Sequence, residues 1–371
     1  MAKDDRQTKL GVIIHPYYWN WEKYPYRGID RYNSEIVKGL KKRGIKIDVI
    51  DSGYVHNHFQ GIVRELLFPF KMISRRADCF FAPHAMGGKW AIIIGKKPLV
   101  TVIQDLLPFA YGDGQYDWAP KYFVKRLSIR LACKKSQKLI VGYPSTKKEI
   151  MEHFAVPAEK IIVVPYGIDH SRFFPAPPRE NSPQRILFIG EAARAKGADS
   201  LLNAFAILSS RMKNVELKMA SRGRDLEMLK HMTLNLKIDD KVEFLGRIPE
   251  EELPDLYRSA DIFVFPSRHG FGLPTIEAMA SGVPTISGKI FDAIDFVGQA
   301  GLLADPNSPE EIARDMERLL TDRKLWQHYR EAGVKRAKEF SWDRTVEETL
   351  AVCLEEVIKF AKKSGRLKIC R

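Results

Sequence analysis

The chain has few cysteines and no long apolar run, and both absences limit what it can be. Its four cysteines among 371 residues form no CxxC or Cys/His spacing, so we expect free thiols in a reducing compartment and no structural zinc; they are Cys79, Cys133, Cys353 and Cys370. The apolar stretches are short. Residues 91–94, for example, which we predict as a strand, fall far below the ~20 residues that span a bilayer. The charged start of the sequence, MAKDDRQTK, predicts that no signal peptide is present.

Two sequence motifs are also missing. No GxGxxG follows any predicted strand, which argues against a nucleotide-dependent dehydrogenase. No known nucleic-acid-binding module is present either, so we expect no nucleic-acid partner. These absences leave a globular protein with 45% apolar and 29% charged residues, long enough for two domains with cores of their own.

Acidic residues are scarce in the first half of the chain. Residues 1–178 hold 29 Lys and Arg against 16 Asp and Glu, whereas the remaining residues hold 31 against 30. Nearly all of the net charge of +14 therefore lies in the first half. An anionic partner for this half is one interpretation, and a general contribution to solubility is the other.

Short β-rich runs alternate with helical patterns along the whole chain, which predicts parallel sheets covered by helices. In the first half we predict strands at 10–14, 45–50, 78–82, 99–103, 139–141 and 161–164, and an amphipathic helix at 28–43. The run PAPPRENSPQ at 175–184 cannot form a helix or a central strand, and it predicts an interdomain linker. Beyond it we predict strands at 185–190, 215–220, 242–245, 261–265 and 285–287, and helices at 198–210, 225–236, 309–320, 324–339 and 342–362.

Residues 265–284, FPSRHGFGLPTIEAMASGVP, carry the clearest chemical signal. An apolar strand ends in a glycine-rich turn, and a helix follows with Glu277 expected on its first turn. Such a turn directs backbone N–H groups and the positive end of a helix at one point, which suits a phosphate. Glu277 can accept hydrogen bonds from neighbouring hydroxyls such as those of a ribose. The segment therefore predicts a nucleoside diphosphate site.

Together with this segment, four further motifs resemble the retaining nucleotide-sugar glycosyltransferases of the GT-B fold known as family 4, or glycosyl transferases group 1. They are RGIDRY at 27–32, KIIVVPYGIDHSRFFP at 160–175, RILFIGEAARAKGADSLL at 185–202 and FLGRIPEEELPDLY at 244–257. The resemblance implies a hexosyltransferase with two facing Rossmann-like domains and a ligand cleft between them. It implies an acceptor-binding domain at 1–177 and a nucleotide-sugar domain at 178–340. The last helix, 341–371, would then pack back on the first domain.

The resemblance also implies roles for individual residues. Lys196 would neutralise the diphosphate as the leaving group gains charge, which lowers the transition state more than the ground state. Glu277 would hold the ribose. The remaining donor-binding residues would be Gly28, Arg194, Arg247, Ile248, Gly270, Phe271, Gly272, Leu273 and Thr275. Thr275 would offer the distal phosphate an N–H and a hydroxyl. No DxD motif is present, and the family neutralises its leaving group with side chains and helix ends, so we expect neither a catalytic metal nor a cofactor.

The chain departs from the family pattern at three positions. Gln104 stands where the family has a histidine beside the reacting sugar, although Asp105 is retained. His269 stands where the first glutamate of a paired-glutamate signature contacts the transferred sugar. Glu191 replaces an arginine, and Arg194 would take over its phosphate contact. We count Gln104, Asp105, Lys196 and His269 as the candidate catalytic residues.

The acceptor is expected on the basic first domain. Residues 121–135 and 64–76 mix basic and apolar residues at helical spacing, although Pro69 is expected to interrupt the second segment. Such helices can lie on an anionic membrane surface, with Lys121, Lys125, Arg126 and Arg130 facing it. The alternative is that their apolar faces pack on their own sheet.

Three functions remain open from the sequence. The favoured one is retaining transfer from a UDP- or GDP-sugar to an anionic, glycan or lipid-linked acceptor, in the cytoplasm or at the inner membrane face. A second is a transferase acting on soluble sugars. The third is a catalytically weak pseudo-glycosyltransferase that partners an active subunit.

Overall fold

The computed structural model describes residues 8–14, 28–51, 58–106, 109, 120–177, 183–270 and 272–365. These residues divide into two compact α/β units. The first contains the described residues up to Gly167 and those from Trp342 onward, and the second runs from Ile168 to Ser341. The division falls ten residues before the boundary predicted at 177/178. The reason is that the backbone N–H of Ile168 donates to Phe340, so the chain joins the second unit before the proline-rich stretch.

The first unit is a parallel sheet in the order β2-β1-β3-β4-β5-β6, with helices on both faces. Its strands among the described residues are β1 (Lys9–Ile14), β2 (Lys46–Asp51), β3 (Cys79–Ala82), β4 (Leu99–Ile103), β5 (Lys138–Val141) and β6 (Ile161–Val163). Its helices there are α1 (Gly28–Lys42), α2 (His58–Ile73), α3 (Ala85–Ile93), α4 (Pro120–Lys135), α5 (Pro144–Phe154) and α13 (Trp342–Lys363). The central strands β3 and β4 are buried along their whole length, which explains their unbroken apolar sequences.

The last helix, α13, belongs to the first unit although it follows the second in sequence. It packs against α1, where Val346 lies so close to Gly39 that a Cβ at Gly39 would approach Cγ2 of Val346 to 2.5 Å. Near its start, the ring of Trp342 lies 6.1 Å from the ring of Tyr32 in α1. The glycine therefore allows these two helices to approach closely.

The second unit repeats the architecture, with a sheet in the order β12-β11-β10-β7-β8-β9. Its strands in the described ranges are β7 (Gln184–Glu191), β8 (Val215–Arg222), β9 (Val242–Phe244), β10 (Ile262–Phe265), β11 (Thr285–Gly288) and β12 (Leu302–Ala304). Its helices there are α6 (Ala198–Arg211), α7 (Leu226–Leu236), α8 (Leu253–Arg258), α9 (Leu273–Ala280), α10 (Phe291–Val297), α11 (Pro309–Thr321) and α12 (Arg323–Ala337). From β7 the chain winds outward through β8 and β9, then returns to β10 on the other side of β7. The winding reverses between β7 and β10, which is where ligands bind in open α/β sheets.

Two local predictions were wrong. Residues 91–93 lie in helix α3, not in a strand, because an apolar run this short has no readable period and cannot be told from a segment of a largely buried helix. His84 begins this helix, since its Nδ1 accepts a hydrogen bond from the backbone N–H of Met86 at 3.1 Å. Helix α2 also continues through Pro69, because Phe68 and Met72 on either side of the proline anchor it in the core.

Candidate active site

The reversal of winding in the second sheet brings two loops together at the carboxyl ends of β7 and β10. The loop after β7 forms a 3₁₀ turn at Arg194–Lys196, and the loop after β10 contains residues 266–270. The backbone N–H of Arg268 donates to the Ala195 carbonyl at 2.9 Å, which joins the two loops directly. The hydroxyl of Ser267 donates to the carbonyl of His269 at 2.6 Å and fixes the second loop internally.

Two glycines allow this close packing. Gly197 has a φ of +71°, and a Cβ there would lie 1.9 Å from the carbonyl oxygen of Pro266. Gly272 precedes α9, and a Cβ there would lie 2.1 Å from the ring of Phe296. Any larger residue at either position would push the two loops or the start of α9 out of place.

Lys196 reaches from the first loop to the second. Its ammonium donates to the carbonyl oxygen of His269 at 3.2 Å and lies 5.9 Å from the centre of the Phe265 ring. The side chain is half-buried. The structure thus brings the predicted site residues Lys196, His269 and Gly270 together, while Phe271 lies outside the described residues. A fixed cation and the start of α9 therefore stand at the same end of the sheet.

Glu277 is only 3% exposed, although it is a carboxylate. Its Oε2 accepts a hydrogen bond of 2.9 Å from the hydroxyl of Tyr257, a fully buried residue of α8. Because Glu277 is the fifth residue of α9, it lies beyond the first turn on which it was expected. A buried carboxylate held by a tyrosine is a strong acceptor of fixed orientation, as recognition of sugar hydroxyls requires.

Both polar groups of Thr275 lie close to partners within the protein. Its backbone N–H donates to the carbonyl of Gly272 at 2.9 Å, and its hydroxyl lies 3.2 Å from that of Ser287. The side chain is fully buried. The N–H of Thr275 is therefore hydrogen-bonded within the first turn of α9, and its side chain packs this helix against β11.

The other predicted donor residues of this unit follow the carboxyl ends of β7 and β9. Arg194 is exposed in the 3₁₀ turn, and its backbone N–H donates to the Asp225 carboxylate at 3.1 Å. Glu191, which replaces the family's arginine, ends β7 and is exposed. Arg247 is exposed and Ile248 half-buried in the loop after the edge strand β9. Arg194 thus lies in the same 3₁₀ turn as Lys196, whereas Arg247 and Ile248 follow a strand two positions away from β7 in the sheet.

The sequence did not reveal Arg268, whose side chain makes several hydrogen bonds across the two loops. Its guanidinium bonds both oxygens of Asp199, at 2.8 and 3.2 Å, and the hydroxyl of Ser200 at 2.6 Å. It also bonds the carbonyl of Arg194 and, at 2.8 Å, the amide oxygen of Asn307. Its place between β10 and the glycine turn was the only sequence signal. Tyr257 was also missed, because it lies 20 residues before Glu277 on another helix.

In the first unit, the predicted residues lie at the carboxyl ends of β1 and β4. Gly28 opens α1 and is exposed. Gln104 follows β4, is half-buried, and donates from Nε2 to the carbonyl of Pro83 at 3.0 Å. Asp105 beside it is also half-buried. The Gln104 amide therefore braces the loop after β3, a contact that a histidine ring would make differently.

The basic helix α4 has a buried side and a solvent side. Ser128 and Ile129 are buried, Lys125 and Arg126 are half-buried, and Arg130 is exposed. The guanidinium of Arg130 lies 5.5 Å from the centre of the Phe109 ring. Lys121 is the second residue of the helix. Part of the apolar side thus packs on the sheet, as the alternative interpretation expected.

No group of three His, Cys, Asp or Glu residues that could hold a metal ion occurs in the described part of the chain. Within those same ranges, no helix has the length and apolarity that crossing a bilayer needs.

Comparison with known proteins agrees with this architecture. The family described as glycosyl transferases group 1 matches residues 169–336, and the one described as glycosyltransferase family 4 matches residues 64–172. O-antigen chain mannosyltransferase B of Escherichia coli is 30% identical over 88% of this chain and 96% of its own length. Mannosylfructose-phosphate synthase of Agrobacterium fabrum is 31% identical over 62% of this chain. That match spans only 56% of the synthase.

Solved structures share the fold at low sequence identity. Sucrose-phosphate synthase from Thermosynechococcus elongatus superposes with a TM-score of 0.78 at 17% identity, over 93% of this chain and 98% of that one. HepE of Anabaena, solved with UDP and glucose, superposes with a TM-score of 0.72 at 16% identity, over 94% and 99%. The described residues form two units, each with a six-stranded parallel sheet. This fold, the two family matches and the relative matched over 96% of its length all indicate the same family. The chain is a glycosyltransferase of the GT-B fold and belongs to family 4.

Proposed function

We propose that this glycosyltransferase moves a hexosyl group, with retention of configuration, from a UDP- or GDP-sugar to an anionic, glycan or lipid-linked acceptor. The observation that carries the proposal is the hydrogen bond from Lys196 to the His269 carbonyl in the loop at 266–270, a few residues before the buried Glu277. The second unit would bind the donor, and the basic first unit the acceptor. The thiols and the absence of long apolar runs favour the cytoplasm.

The diphosphate end of the donor would lie against Lys196 and the start of α9. The Lys196 ammonium is already held 3.2 Å from the His269 carbonyl, so its position needs little reorganisation when the leaving phosphate gains charge. Preorganised charge of this kind lowers the barrier more than mobile charge does. We assign the neutralisation to this lysine and the helix end, without a metal ion or cofactor.

Glu277 would bind the ribose of the donor. Tyr257 holds one carboxylate oxygen at 2.9 Å, and a carboxylate offers about four acceptor sites. Two adjacent hydroxyls suit such a group. HepE, which shares the fold, was solved with UDP and glucose, and this supports a uridine nucleotide as one donor class.

Transfer with retention would follow a front-face route. The bond from the anomeric carbon to the phosphate oxygen breaks, and the acceptor oxygen bonds to that carbon on the same face. The acceptor's proton passes to an oxygen of the leaving phosphate. No enzyme base is needed, so Gln104 in place of a histidine is compatible with turnover. His269 would contact the transferred sugar through its ring, since its carbonyl is engaged by Lys196 and Ser267.

Donor binding is tested by a thermal-shift panel of UDP- and GDP-sugars without added metal, followed by assays of nucleoside diphosphate release. Wild type should be stabilised by one donor class, and EDTA should leave release unchanged. Lys196→Ala should abolish the stabilisation and lower turnover about 10²–10³-fold. Lys213→Ala, which removes an exposed lysine of the same unit, is the matched control. Equal stabilisation of both variants would contradict the donor site.

The reaction is tested on glycan and lipid-linked acceptors by determining the anomeric configuration of the product. Retained configuration is expected, and an inverted product would overturn the front-face route. Donor binding without nucleotide release on any acceptor would overturn the transferase and favour a pseudo-enzyme partner subunit.

A further inference from the structure

Helix α2 turns a continuous apolar face to solvent. Five of its large apolar side chains, spaced three and four residues apart or adjacent, are well exposed: Val63 38%, Leu66 61%, Leu67 53%, Phe70 68% and Ile73 58%. Single exposed apolar residues are ordinary on protein surfaces, but a full stripe on one helix marks an interaction surface.

The opposite side of α2 is firmly packed, so the exposed stripe is not an unmade core contact. Phe68 and Met72 are buried in the cluster beneath the helix. Glu65 is held by a hydrogen-bonded ion pair with the buried Lys89, and it accepts a second bond from the indole of Trp90 at 3.0 Å. These contacts lock α2 onto α3 and determine which face points outward.

The apolar surface continues on the neighbouring helices. The chain advances in one direction across the sheet from β2 to β5 after stepping over β1, so right-handed crossovers place α2, α3 and α4 in one layer. Exposed apolar residues occur on α3, at Ile93, and on α4, at Phe123 and Leu127. This layer therefore presents apolar side chains from three consecutive helices.

The surroundings of the stripe are strongly basic. Residues 58–106 and 120–137 contain thirteen Lys and Arg against three acidic residues. None of the three acids is exposed: Glu65 is paired with Lys89, Asp78 accepts the backbone N–H of Lys9, and Asp105 is half-buried. Exposed cations flank the stripe at Lys71, Arg76 and Lys97. Arg75 is paired with Asp48 of β2 at 3.0 Å, and Lys96 holds the end of α2 through the carbonyls of Ile73 and Arg75.

We propose that the outer face of α2 docks on an anionic lipid bilayer. Leu66, Leu67 and Phe70 would enter the boundary between headgroups and acyl chains, and the flanking cations would bind lipid phosphates. A second copy of the chain fits less well, because two such basic surfaces would repel one another. A polyanion alone would leave the apolar stripe in water. The inference rests on this surface and holds whether or not the proposed transfer occurs.

Flotation of the full chain with vesicles, without any nucleotide sugar, tests the inference. Wild type should float with phosphatidylglycerol/phosphatidylcholine vesicles and stay behind with pure phosphatidylcholine, and 0.5 M salt should weaken binding severalfold. Leu66→Ser/Phe70→Ser should bind at least about tenfold more weakly, because two inserted side chains are lost. The matched control is Met228→Ser/Leu234→Ser, which changes two comparably exposed apolar residues of α7 and should bind as wild type does.

Thermal unfolding shows that each variant is folded before the comparison is made. Three results would overturn the inference: no flotation of wild type, equal flotation with neutral vesicles, or undiminished flotation of Leu66→Ser/Phe70→Ser. Light scattering could give a fourth result that overturns the inference: wild type is a dimer, and Leu66→Ser/Phe70→Ser is a monomer. That result would assign this face of α2 to contact with a second copy of the chain. Reduced flotation of Arg76→Glu/Lys97→Glu would support the role of the cations.

Discussion

Replacing Arg268 by methionine should weaken both the fold and donor binding, through two separable causes. The guanidinium joins Asp199 and Ser200 at the start of α6 to Asn307 after β12, and its backbone N–H bonds the loop that carries Lys196. The side chains of Arg268 and Asp199 are only 16% and 24% exposed. Losing a bidentate pair of this kind costs about 3 kcal/mol. For a unit of this size that is a fall in Tm of about 6–12 °C.

The effect on the donor has a separate electrostatic cause. Without Arg268, the carboxylate of Asp199 stands uncompensated three residues after Lys196. At about 8 Å and an effective dielectric constant of about 40, such a charge costs a bound phosphate about 1 kcal/mol. Together with loosening of the loop, UDP should bind about 5–20-fold more weakly. Calorimetric titration with UDP measures this directly.

A second substitution separates the two causes. Arg268→Met/Asp199→Asn removes the repelling carboxylate, so UDP affinity should recover to within about threefold of wild type while the Tm remains low. Asp255→Asn, at an exposed carboxylate of the same unit, should leave UDP affinity unchanged in the Arg268→Met background. The reasoning fails if Arg268→Met binds UDP as tightly as wild type, or if the double variant binds no better than the single one.

Three further outcomes are expected. Tyr257→Phe removes the 2.9 Å bond to the buried Glu277, so it should lower stability by about 1.5–3 kcal/mol and weaken UDP binding, as denaturant titration and calorimetry will show; unchanged values would contradict the carboxylate's fixed role. Gly197→Ala would place a Cβ 1.9 Å from the carbonyl oxygen of Pro266, so we expect an unstable protein or weaker UDP binding in calorimetry; soluble protein with normal UDP affinity would refute the close approach of the loops. Burial raises the pKa of the Cys133 thiol to about 12, so at pH 8 it should react with a disulfide reagent only after unfolding; rapid labelling of Cys133 in the native protein would be inconsistent with its burial.

Much of the fold could be predicted from the sequence, because parallel strands buried on both faces have unmistakable apolar runs. Strand β4, LVTVI, is buried at every position and was predicted with its bounds. Prediction failed where local pattern and tertiary packing disagree. Residues 91–93 look like a strand but lie in α3, and α2 passes through Pro69 because Phe68 and Met72 hold it in the core.

Part of the candidate site could also be predicted from the sequence. Lys196, His269 and Gly270 come together because both loops follow strands that neighbour one another at the reversal of winding. The backbone N–H of Thr275 donates to the carbonyl of Gly272, and its contact with the distal phosphate stays a prediction. Whether the flanking residues Arg194 and Arg247 bind donor remains a prediction.

By itself, the sequence determined the family, the two α/β units and the glycine turn, since these depend on local composition and on the order of motifs. Only the tertiary structure decided which polar groups meet: Tyr257 with Glu277, Arg268 with Asp199, and Lys89 with Glu65. It also decided that the apolar stripe of α2 faces outward. The physical reason is that burial and pairing depend on neighbours distant in sequence, and an amphipathic pattern does not say which face the core will cover.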